Sequence, residues 1–336
     1  MALTLGIRLT PCPSPAEVAD LAEGIERAGF EAAWMTDTPL LAGRWGDPFV
    51  CLSAMAMRSD RLRVGIAVTN PYMRQFQAVG AASASLHDLS GGRFILGIGA
   101  GGSAARSLGF DHGTQARLRE FVRAARLLFS EGEVEFGGRR YEFTPPRPVP
   151  VYVAAMGPKA IEFAGAEADG VILQVGANRK GITWAKERLR AGAEKAGRDV
   201  SAVDVVVSAQ CCALQDRESA IRRVRHLIAP YYYTAPHIFR VTGLPGEYAP
   251  VARKIYPDLS HAMNLEEAAR ATDFIPDEVV EALGIVGTPD QWVERLRMME
   301  ELGVNHVQIR GPESYAPPLD EIAFCRDEIL PRLRGA

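Results

Sequence analysis

Short runs of apolar residues alternate along the chain with longer segments in which apolar residues recur every three or four positions. The short runs are typical of buried parallel strands, and the longer segments are typical of amphipathic helices. Eight such runs predict strands at 4–10, 32–37, 62–69, 94–100, 149–155, 170–175, 203–211 and 305–311. Helices are predicted at 15–30, 47–59, 75–90, 115–130 and 319–333, with others between the fifth, sixth and seventh strands.

Eight strands alternating with helices in 336 residues predict an α/β fold, a (β/α)8 TIM barrel that forms a single domain over residues 1–336. A small hairpin is predicted at 134–143, with its turn at Gly137-Gly138. Residues 229–285 interrupt the alternation as an insertion between the seventh and eighth strands, rich in Tyr and Pro and then helical. At the C-terminal rim of a barrel we expect a lid or substrate pocket; a structural excursion or an oligomer contact is the alternative.

Composition narrows the function classes. The chain is 47% apolar and 24% charged, with a formal charge of −3, which is ordinary for a soluble protein and gives no electrostatic reason to expect nucleic acid. The five cysteines have no metal-type spacing, so no metal site is predicted and reduced thiols are expected. Neither a signal peptide nor a membrane-spanning run is visible, and we expect a cytoplasmic protein.

A glycine-rich segment follows the fourth predicted strand. Residues 97–102 read G-I-G-A-G-G, which matches the dinucleotide-binding pattern G-x-G-x-x-G. A Rossmann site places this pattern after the first strand, with an acidic residue closing the second, and neither condition is met here. In a barrel the glycines lie on the catalytic face, where missing side chains let a flat ring approach the backbone. A tight turn is the alternative, although one or two glycines suffice for it.

Several motifs together resemble a known family. They are "GIAVTNPYMR" at 65–74, "LHDLSGGRFILGIGAGG" at 86–102, "VPVYVAAMGPKAIEFAGAEADGVIL" at 149–173 and "GTPDQWVERLRMMEELGVNHV" at 287–307. The chain is similar to the bacterial-luciferase-like flavin and deazaflavin oxidoreductases. Within them it resembles the branch that uses coenzyme F420, which includes methylenetetrahydromethanopterin reductases and F420-dependent glucose-6-phosphate dehydrogenases.

The resemblance implies a cofactor site at the C-terminal ends of the strands. A cis peptide bond at Ala67-Val68 is expected to support the convex face of the ring. Asp37 matches an aspartate near the ring, with a helix N-cap as the alternative. The other positions implied to contact the ring, the polar chain, the tail or the phosphate are Thr69, Gly99, Ala100, Gly101, Ala155, Met156, Gly157, Gly176, Ala177, Arg179 and Lys180. Arg179 and Lys180 can equally be solvated helix surface.

The residues that handle protons depart from the relatives. Thr38 stands where the glucose-6-phosphate enzymes have a histidine, Gly102 stands where both groups have an acid, and Arg8 stands where the methanopterin reductases have a glutamate. We therefore take Asp37, Thr38 and Arg8 as candidate catalytic residues, with Arg8 able to bind an anionic substrate group or to be ion-paired. Further candidates for a proton donor are Asp37, Tyr72, His112, Tyr231–Tyr233 and His237.

The predicted function is hydride transfer between C5 of the deazaflavin F420 and an electrophilic organic substrate, which is a small molecule. An FMN-dependent luciferase-like monooxygenase is the alternative within this fold. A cofactor-binding protein without turnover is the alternative from another class, since the relatives' acids are missing. A homodimer is expected through the apolar segments at 48–57 and 78–86, for which core burial is the competing explanation.

Overall fold

The computed structural model describes residues 2–10, 14–38, 46–110, 113–214, 216–255, 264–313 and 315–335. The strands in chain order are β1 Thr4–Leu9, β2 Ala32–Met35, β3 Arg63–Thr69, β4 Phe94–Ile98, β5 Glu133–Phe136, β6 Arg139–Glu142, β7 Val151–Ala155, β8 Gly170–Leu173, β9 Asp204–Cys211, β10 Gly284–Ile285 and β11 His306–Arg310. Eight of them pair in parallel around a closed ring in the order β1-β2-β3-β4-β7-β8-β9-β11, and β11 returns to β1. The predicted (β/α)8 TIM barrel is confirmed.

The helices surround this barrel. They are α1 Pro15–Arg27, α2 Pro48–Met57, α3 Phe76–Leu89, α4 Gly102–Ser107, α5 Gln115–Glu131, α6 Pro158–Glu167, α7 Arg179–Lys195, α8 Arg217–Thr234, α9 His237–Thr242, α10 Ala249–Ile255, α11 Leu265–Ala271, α12 Asp277–Leu283, α13 Pro289–Glu301, α14 Leu319–Phe324 and α15 Leu330–Arg334. The main core lies between them and the outer faces of the strands. Local sequence sets their starts, since Ser14 and Thr288 each form a capping box with a proline at the first helical position.

The element boundaries differ from the sequence prediction at several strand ends and in two helices. Strands β2, β4 and β8 end before the predicted positions 37, 100 and 175, because the chain leaves the sheet at the rim. Helix α4 has no counterpart among the predicted helices. Helix α8 continues to Thr234 with Pro230 inside it, so it takes in the start of the predicted insertion. The hairpin is confirmed as β5–β6, with left-handed φ values of 58° and 71° at Gly137 and Gly138.

The first polar group in the barrel interior lies at the N-terminal ends of the strands. Trp34 Nε1 donates to His306 Nε2 at 3.1 Å, and Thr4 Oγ1 hydrogen-bonds His306 Nδ1 at 2.7 Å. Both ring nitrogens of His306 are therefore satisfied without a second proton. Burial, with a smaller contribution from the positive charge of Arg63, lowers the pKa of His306 to about 3. The ring is neutral near pH 7.

The second polar group at this end joins β3, β7 and β9. The Tyr152 hydroxyl donates to the Asp204 carboxylate and accepts a 3.4 Å hydrogen bond from Arg63. Burial and then the bond to Asp204 raise the pKa of Tyr152, so the phenol keeps its proton. Above these groups an apolar layer that includes Trp34, Ile95 and Ile172 fills the barrel. The N-terminal end of the interior is thus closed by paired polar groups.

The described residues also bear on membrane-spanning helices, metal sites and the state of the cysteines. None of the helices in the described ranges is long and apolar enough to cross a membrane. Within those same ranges no group of three or more His, Cys, Asp or Glu side chains is placed to hold a metal ion. Cys51, Cys211, Cys212 and Cys325 are buried and form no disulfide among the described residues. Cys12 lies outside the described residues.

Candidate functional site

The C-terminal end of β3 carries the irregularity that the resemblance implies. The Ala67-Val68 peptide bond is cis, and the register between β3 and β4 shifts between Ile66 and Thr69. Val68 is half-buried, whereas its neighbours Ala67 and Thr69 are buried. The bulge therefore presents Val68 at the mouth of the barrel, with the pairing to β4 restored at Thr69.

The glycines of β4 are required by this bulge. A Cβ atom at Gly97 would lie 2.3 Å from the Ile66 carbonyl oxygen, and one at Gly99 would lie 2.7 Å from Val68 Cγ2. Gly101 has a φ of 90°, a conformation that side chains other than glycine rarely adopt. Part of the glycine pattern thus serves the close approach of β3 to β4. The sequence predicted that the glycines make room for a cofactor, with a tight turn as the alternative, and packing against β3 is a further reason for them.

Small or flexible apolar side chains form a floor at this side of the mouth. Val68, Ala100, Ala154 and Met156 are half-buried at or just after the ends of β3, β4 and β7. Val68 and Ala154 pack on the apolar layer inside the barrel, whereas Ala100 and Met156 pack on the main core. None of the four carries a charge or a hydrogen-bonding side chain. We call these four residues the apolar floor. The uncharged apolar side chains of Val68 and Ala154 on the interior side suit one face of a flat aromatic ring.

Asp37 follows β2 and is fully buried. Arg74 binds both of its carboxylate oxygens, at 2.8 and 2.9 Å, and Thr69 Oγ1 donates to Oδ2 at 2.6 Å. Arg74 also bonds Asp47 at 2.8 Å, so it holds two carboxylates together. Both carboxylate oxygens of Asp37 are thus occupied by three donors within the protein. The geometry favours a positioning role for Asp37 over that of a proton donor. Thr38, beside it, is also buried.

The turn after β7 is held by His237, which lies in the segment predicted to be an insertion. Ala155 O accepts from Gln174 N at 3.2 Å, and Gly157 is the N-cap residue of α6. His237 Nε2 contacts Met156 O at 2.8 Å, and burial lowers the pKa of His237. A neutral His237 is therefore placed to donate to this turn. The contact joins α9 to the three residues predicted to bind the cofactor tail.

The residues predicted to bind phosphate already have partners within the protein. Ala177 is fully buried and its N–H donates to Leu283 O at 3.0 Å. Arg179 is ion-paired with Glu301 at 2.7 Å, and Lys180 Nζ donates to Thr242 O at 3.1 Å. Gly176 lies between these residues and β8, with a φ of 80°. The structure does not bring the two bases together on one open site, and their binding of phosphate stays a prediction.

The opposite half of the mouth is polar. Arg8 is half-buried at the end of β1 and donates to Thr36 Oγ1 at 2.8 Å. Arg310 ends β11 and is in register with Gln210 on β9. Burial, and then the charge of Arg310, lowers the pKa of Arg8. We call the group of Arg8, Arg310, Gln210 and Tyr231 the polar half of the mouth.

Gln210, Arg310 and Arg74 were not among the predicted site residues. A signal for the first two exists, because polar residues occupy every second position of strands that are otherwise apolar, at 208 and 210 and at 306, 308 and 310. In a barrel strand those positions face the interior. For Arg74 the sequence offers no such signal, since its partner Asp37 lies far away in the chain.

The remaining proton-donor candidates fall in different places. The Tyr72 hydroxyl accepts from Thr114 N at 3.0 Å, and its ring packs on Phe110 with centroids 4.9 Å apart. Tyr232 donates to Pro245 O at 3.1 Å, away from the mouth. Tyr231 lies at the mouth. His112 lies outside the described residues. Tyr231 belongs to the polar half, beside Gln210 and Arg310.

Known proteins resemble this chain over nearly its whole length. A 5,10-methylenetetrahydromethanopterin reductase from Methanolobus tindarius is 29% identical, over 92% of this chain and 94% of its own length. An F420-dependent glucose-6-phosphate dehydrogenase from Nakamurella multipartita is 31% identical, over 96% of this chain and 93% of its own.

Among solved structures, the coenzyme F420 dependent tetrahydromethanopterin reductase from Methanopyrus kandleri superposes with a TM-score of 0.80 at 23% identity. The alignment covers 99% of this chain and 100% of that one, and it supports the same barrel fold. The sequence model of the luciferase-like monooxygenase family matches residues 3–306. The chain therefore belongs to the luciferase-like monooxygenase family.

Proposed function

We propose that this protein is an F420-dependent oxidoreductase that transfers a hydride between the deazaflavin and an electrophilic organic substrate. The observation that carries the proposal is the bulge at Ala67-Val68, which presents Val68 within an uncharged floor at the catalytic end of the barrel. The similarity to proteins named as F420-dependent supports the choice of cofactor. When bound, the deazaflavin supplies or accepts the hydride at C5.

The residues of the chain position the reactants and exclude water. The apolar floor would hold one face of the ring, with Thr69 and Gly99–Gly101 along its edge. Arg74 neutralises Asp37 and keeps that carboxylate away from the reacting carbon. The turn Ala155–Gly157 would bind the cofactor tail. Arg179 and Lys180 are exposed and would bind its phosphate by exchanging their present partners.

We propose further that residues 229–285 cover the mouth as a lid and wall of the substrate pocket. His237 reaches Met156 O, and its ring lies against Trp184 with centroids 5.1 Å apart. Tyr231 projects toward Arg310, whose charge affects its pKa. These contacts support a segment that closes over bound ligand. The proton donor of the reaction would then come from the lid, and Tyr231 is the best-placed candidate.

The proposal is tested by titrating the purified chain with F420 and, in parallel, with FMN, following the absorbance and fluorescence of each cofactor. We expect saturable binding of F420 and much weaker binding of FMN. Reduced F420 is then mixed without oxygen with a panel of carbonyl and conjugated acceptors, and its oxidation is followed. Preference for FMN with oxygen consumption would make the protein a monooxygenase. F420 binding without hydride transfer to any acceptor would make it a cofactor-binding protein without turnover.

We also propose a homodimer formed through α2. This helix is apolar on all sides, and Val50 and Met57 on its outer face are 54% and 69% exposed. Light scattering coupled to size-exclusion chromatography is expected to give twice the chain mass. Met57→Glu should shift the protein toward the monomer, whereas Leu127→Glu, on α5 and 50% exposed, should not. A monomeric wild type would remove this proposal.

A further inference from the structure

The two arginines of the polar half lie side by side at the base of the mouth. β1 and β11 are parallel neighbours with Ile7 opposite Ile309, so the next residues, Arg8 and Arg310, are adjacent. Both occupy positions that face the barrel interior. Gly6 and His306 lie against each other and Trp34 inside the barrel, and every second residue of a strand faces the same side. Both are half-buried at the C-terminal ends of their strands. Two guanidinium groups therefore project into one small region of the mouth.

Arg8 has a neutral partner in place of a counter-charge. It donates through Nε and a terminal nitrogen to Thr36 Oγ1, at 3.2 and 2.8 Å. No carboxylate within the described residues forms an ion pair with Arg8. Burial, and then the like charge of Arg310, disfavour the charged form of Arg8 and lower its pKa. An anion placed between the two guanidiniums would relieve both penalties.

Buried polar atoms with unused hydrogen-bonding capacity border the arginines. The Tyr231 hydroxyl lies beside Gln210 and the Gly176 backbone, but neither it nor Gln210 Oε1 has a hydrogen bond of standard geometry to the described residues, and the two side chains are 3% and 1% exposed. Leaving such groups unpaired costs stability unless a ligand satisfies them. Burial raises the pKa of Tyr231 to about 12, so its hydroxyl carries a proton to donate. The Gln210 amide can also present a donor, because its two ends exchange by rotation.

We propose that Arg8 and Arg310, with the Tyr231 hydroxyl and the Gln210 amide, bind an oxyanion of the substrate, a carboxylate or a phosphate. This rests on the proposed function, since it assigns the substrate class of the same mouth. Guanidinium groups match the geometry of both anions and bind them by paired hydrogen bonds.

The position of this subsite constrains the rest of the substrate. Only β2 separates β1 from β3, which carries Val68 of the apolar floor. An organic anion bound at Arg8 and Arg310 would extend its body toward that floor. The substrate class is therefore a small organic molecule with an anionic group at one end and an electrophilic carbon near the other.

The test is calorimetric titration of the full chain, with F420 present and absent, using benzoate, phenyl phosphate and the uncharged isostere benzamide. We expect saturable binding of at least one of the two anions and none of benzamide. Arg8→Gln should weaken that binding about tenfold or more, and Arg8→Lys, which keeps the charge without the paired donors, should weaken it less. The control is Arg139→Gln, on the exposed strand β6, which should bind as the wild type does.

The arms separate the possible outcomes. Binding of benzoate alone assigns a carboxylate, and binding of phenyl phosphate alone assigns a phosphate. If neither anion binds, or if Arg8→Gln and Arg310→Gln, both shown folded by thermal unfolding, bind as the wild type does, the subsite is wrong. F420 binding without anion binding overturns this inference and leaves the proposed function standing. Arginine-dependent anion binding without F420 binding supports the anion subsite and overturns the proposed function.

Discussion

The two ends of the barrel interior differ in how their polar groups are satisfied. At the N-terminal end Trp34 and Thr4 hydrogen-bond both nitrogens of His306, and Tyr152 bonds Asp204. At the C-terminal end the Tyr231 hydroxyl has no hydrogen-bond partner of standard geometry among the described residues. The first arrangement is complete within the protein and serves stability. The second has capacity left over, which is what a ligand requires.

Removing Trp34 should produce the largest loss of stability. Its side chain is 1% exposed and lies between the N-terminal polar groups and the apolar layer. We expect Trp34→Ala to lower the free energy of unfolding by about 3–5 kcal/mol, because it leaves a large cavity and removes the donor to His306 Nε2. Urea denaturation measures this. Trp184→Ala, at a half-buried position on α7, is the matched control and should cost clearly less.

The Asp37–Arg74 pair is the exception that sharpens the comparison, because it lies at the C-terminal end and is fully paired. Asp37→Ala would leave Arg74, 19% exposed, with Asp47 as its remaining carboxylate partner among the described residues. We expect a loss of about 3 kcal/mol in the free energy of unfolding. Glu23→Gln, which breaks exposed ion pairs, should cost less than about 1 kcal/mol. Equal losses in the two variants would contradict a structural role for Asp37.

Acid should weaken the N-terminal end. The pKa of His306 is about 3 in the folded chain and about 6.5 when unfolded, so below pH 6.5 the unfolded chain binds the extra proton. The contribution of His306 to the free energy of unfolding is fully present above about pH 6.5. It decreases as the pH is lowered, by about 2 kcal/mol between pH 6.5 and 4.5. Buried His226, with a pKa lowered to about 4, adds to the same trend.

Urea denaturation at several pH values separates these contributions. His306→Asn should flatten the acid slope, although it also loses the Trp34 hydrogen bond and should start from a lower stability at pH 7. His87→Asn, at a half-buried position on α3, should change the slope less. An unchanged slope in His306→Asn would mean that His306 already carries its proton in the folded protein.

The glycines at the mouth should divide into two kinds. Gly99→Ala places a Cβ 2.7 Å from Val68 Cγ2 and should cost about 1–2 kcal/mol of stability, with weaker F420 binding because Val68 must move. At Gly157 a Cβ meets nothing within 4 Å, and φ is −94°. Gly157→Ala should therefore change stability by less than about 1 kcal/mol. If both variants behave alike, the packing of β3 on β4 does not explain Gly99.

The barrel and its hairpin could be predicted from the sequence because parallel strands are continuous apolar runs and the helices between them are periodic. The family resemblance predicted the cis bond at Ala67-Val68, and no property of those two residues would have done so. The hydrogen-bond and ion-pair partners of the site residues could not be predicted from the sequence. Arg74 finds Asp37, and Ala177 finds Leu283, only through packing between elements distant in the chain. Arg179 and Lys180 were identified through the same family resemblance, and a matching position in the sequence does not determine where a long side chain points.

The most direct test of the comparison uses two neighbouring interior positions of β7. Tyr152 lies at the N-terminal end, and Ala154 belongs to the apolar floor at the C-terminal end. F420 is titrated into the wild type, Tyr152→Phe and Ala154→Phe, with thermal unfolding of each. We expect Tyr152→Phe to bind F420 as the wild type does while losing about 1–2 kcal/mol of stability. We expect Ala154→Phe to stay folded and to lose F420 binding. Unchanged F420 binding by Ala154→Phe, or none by the wild type, would contradict the account.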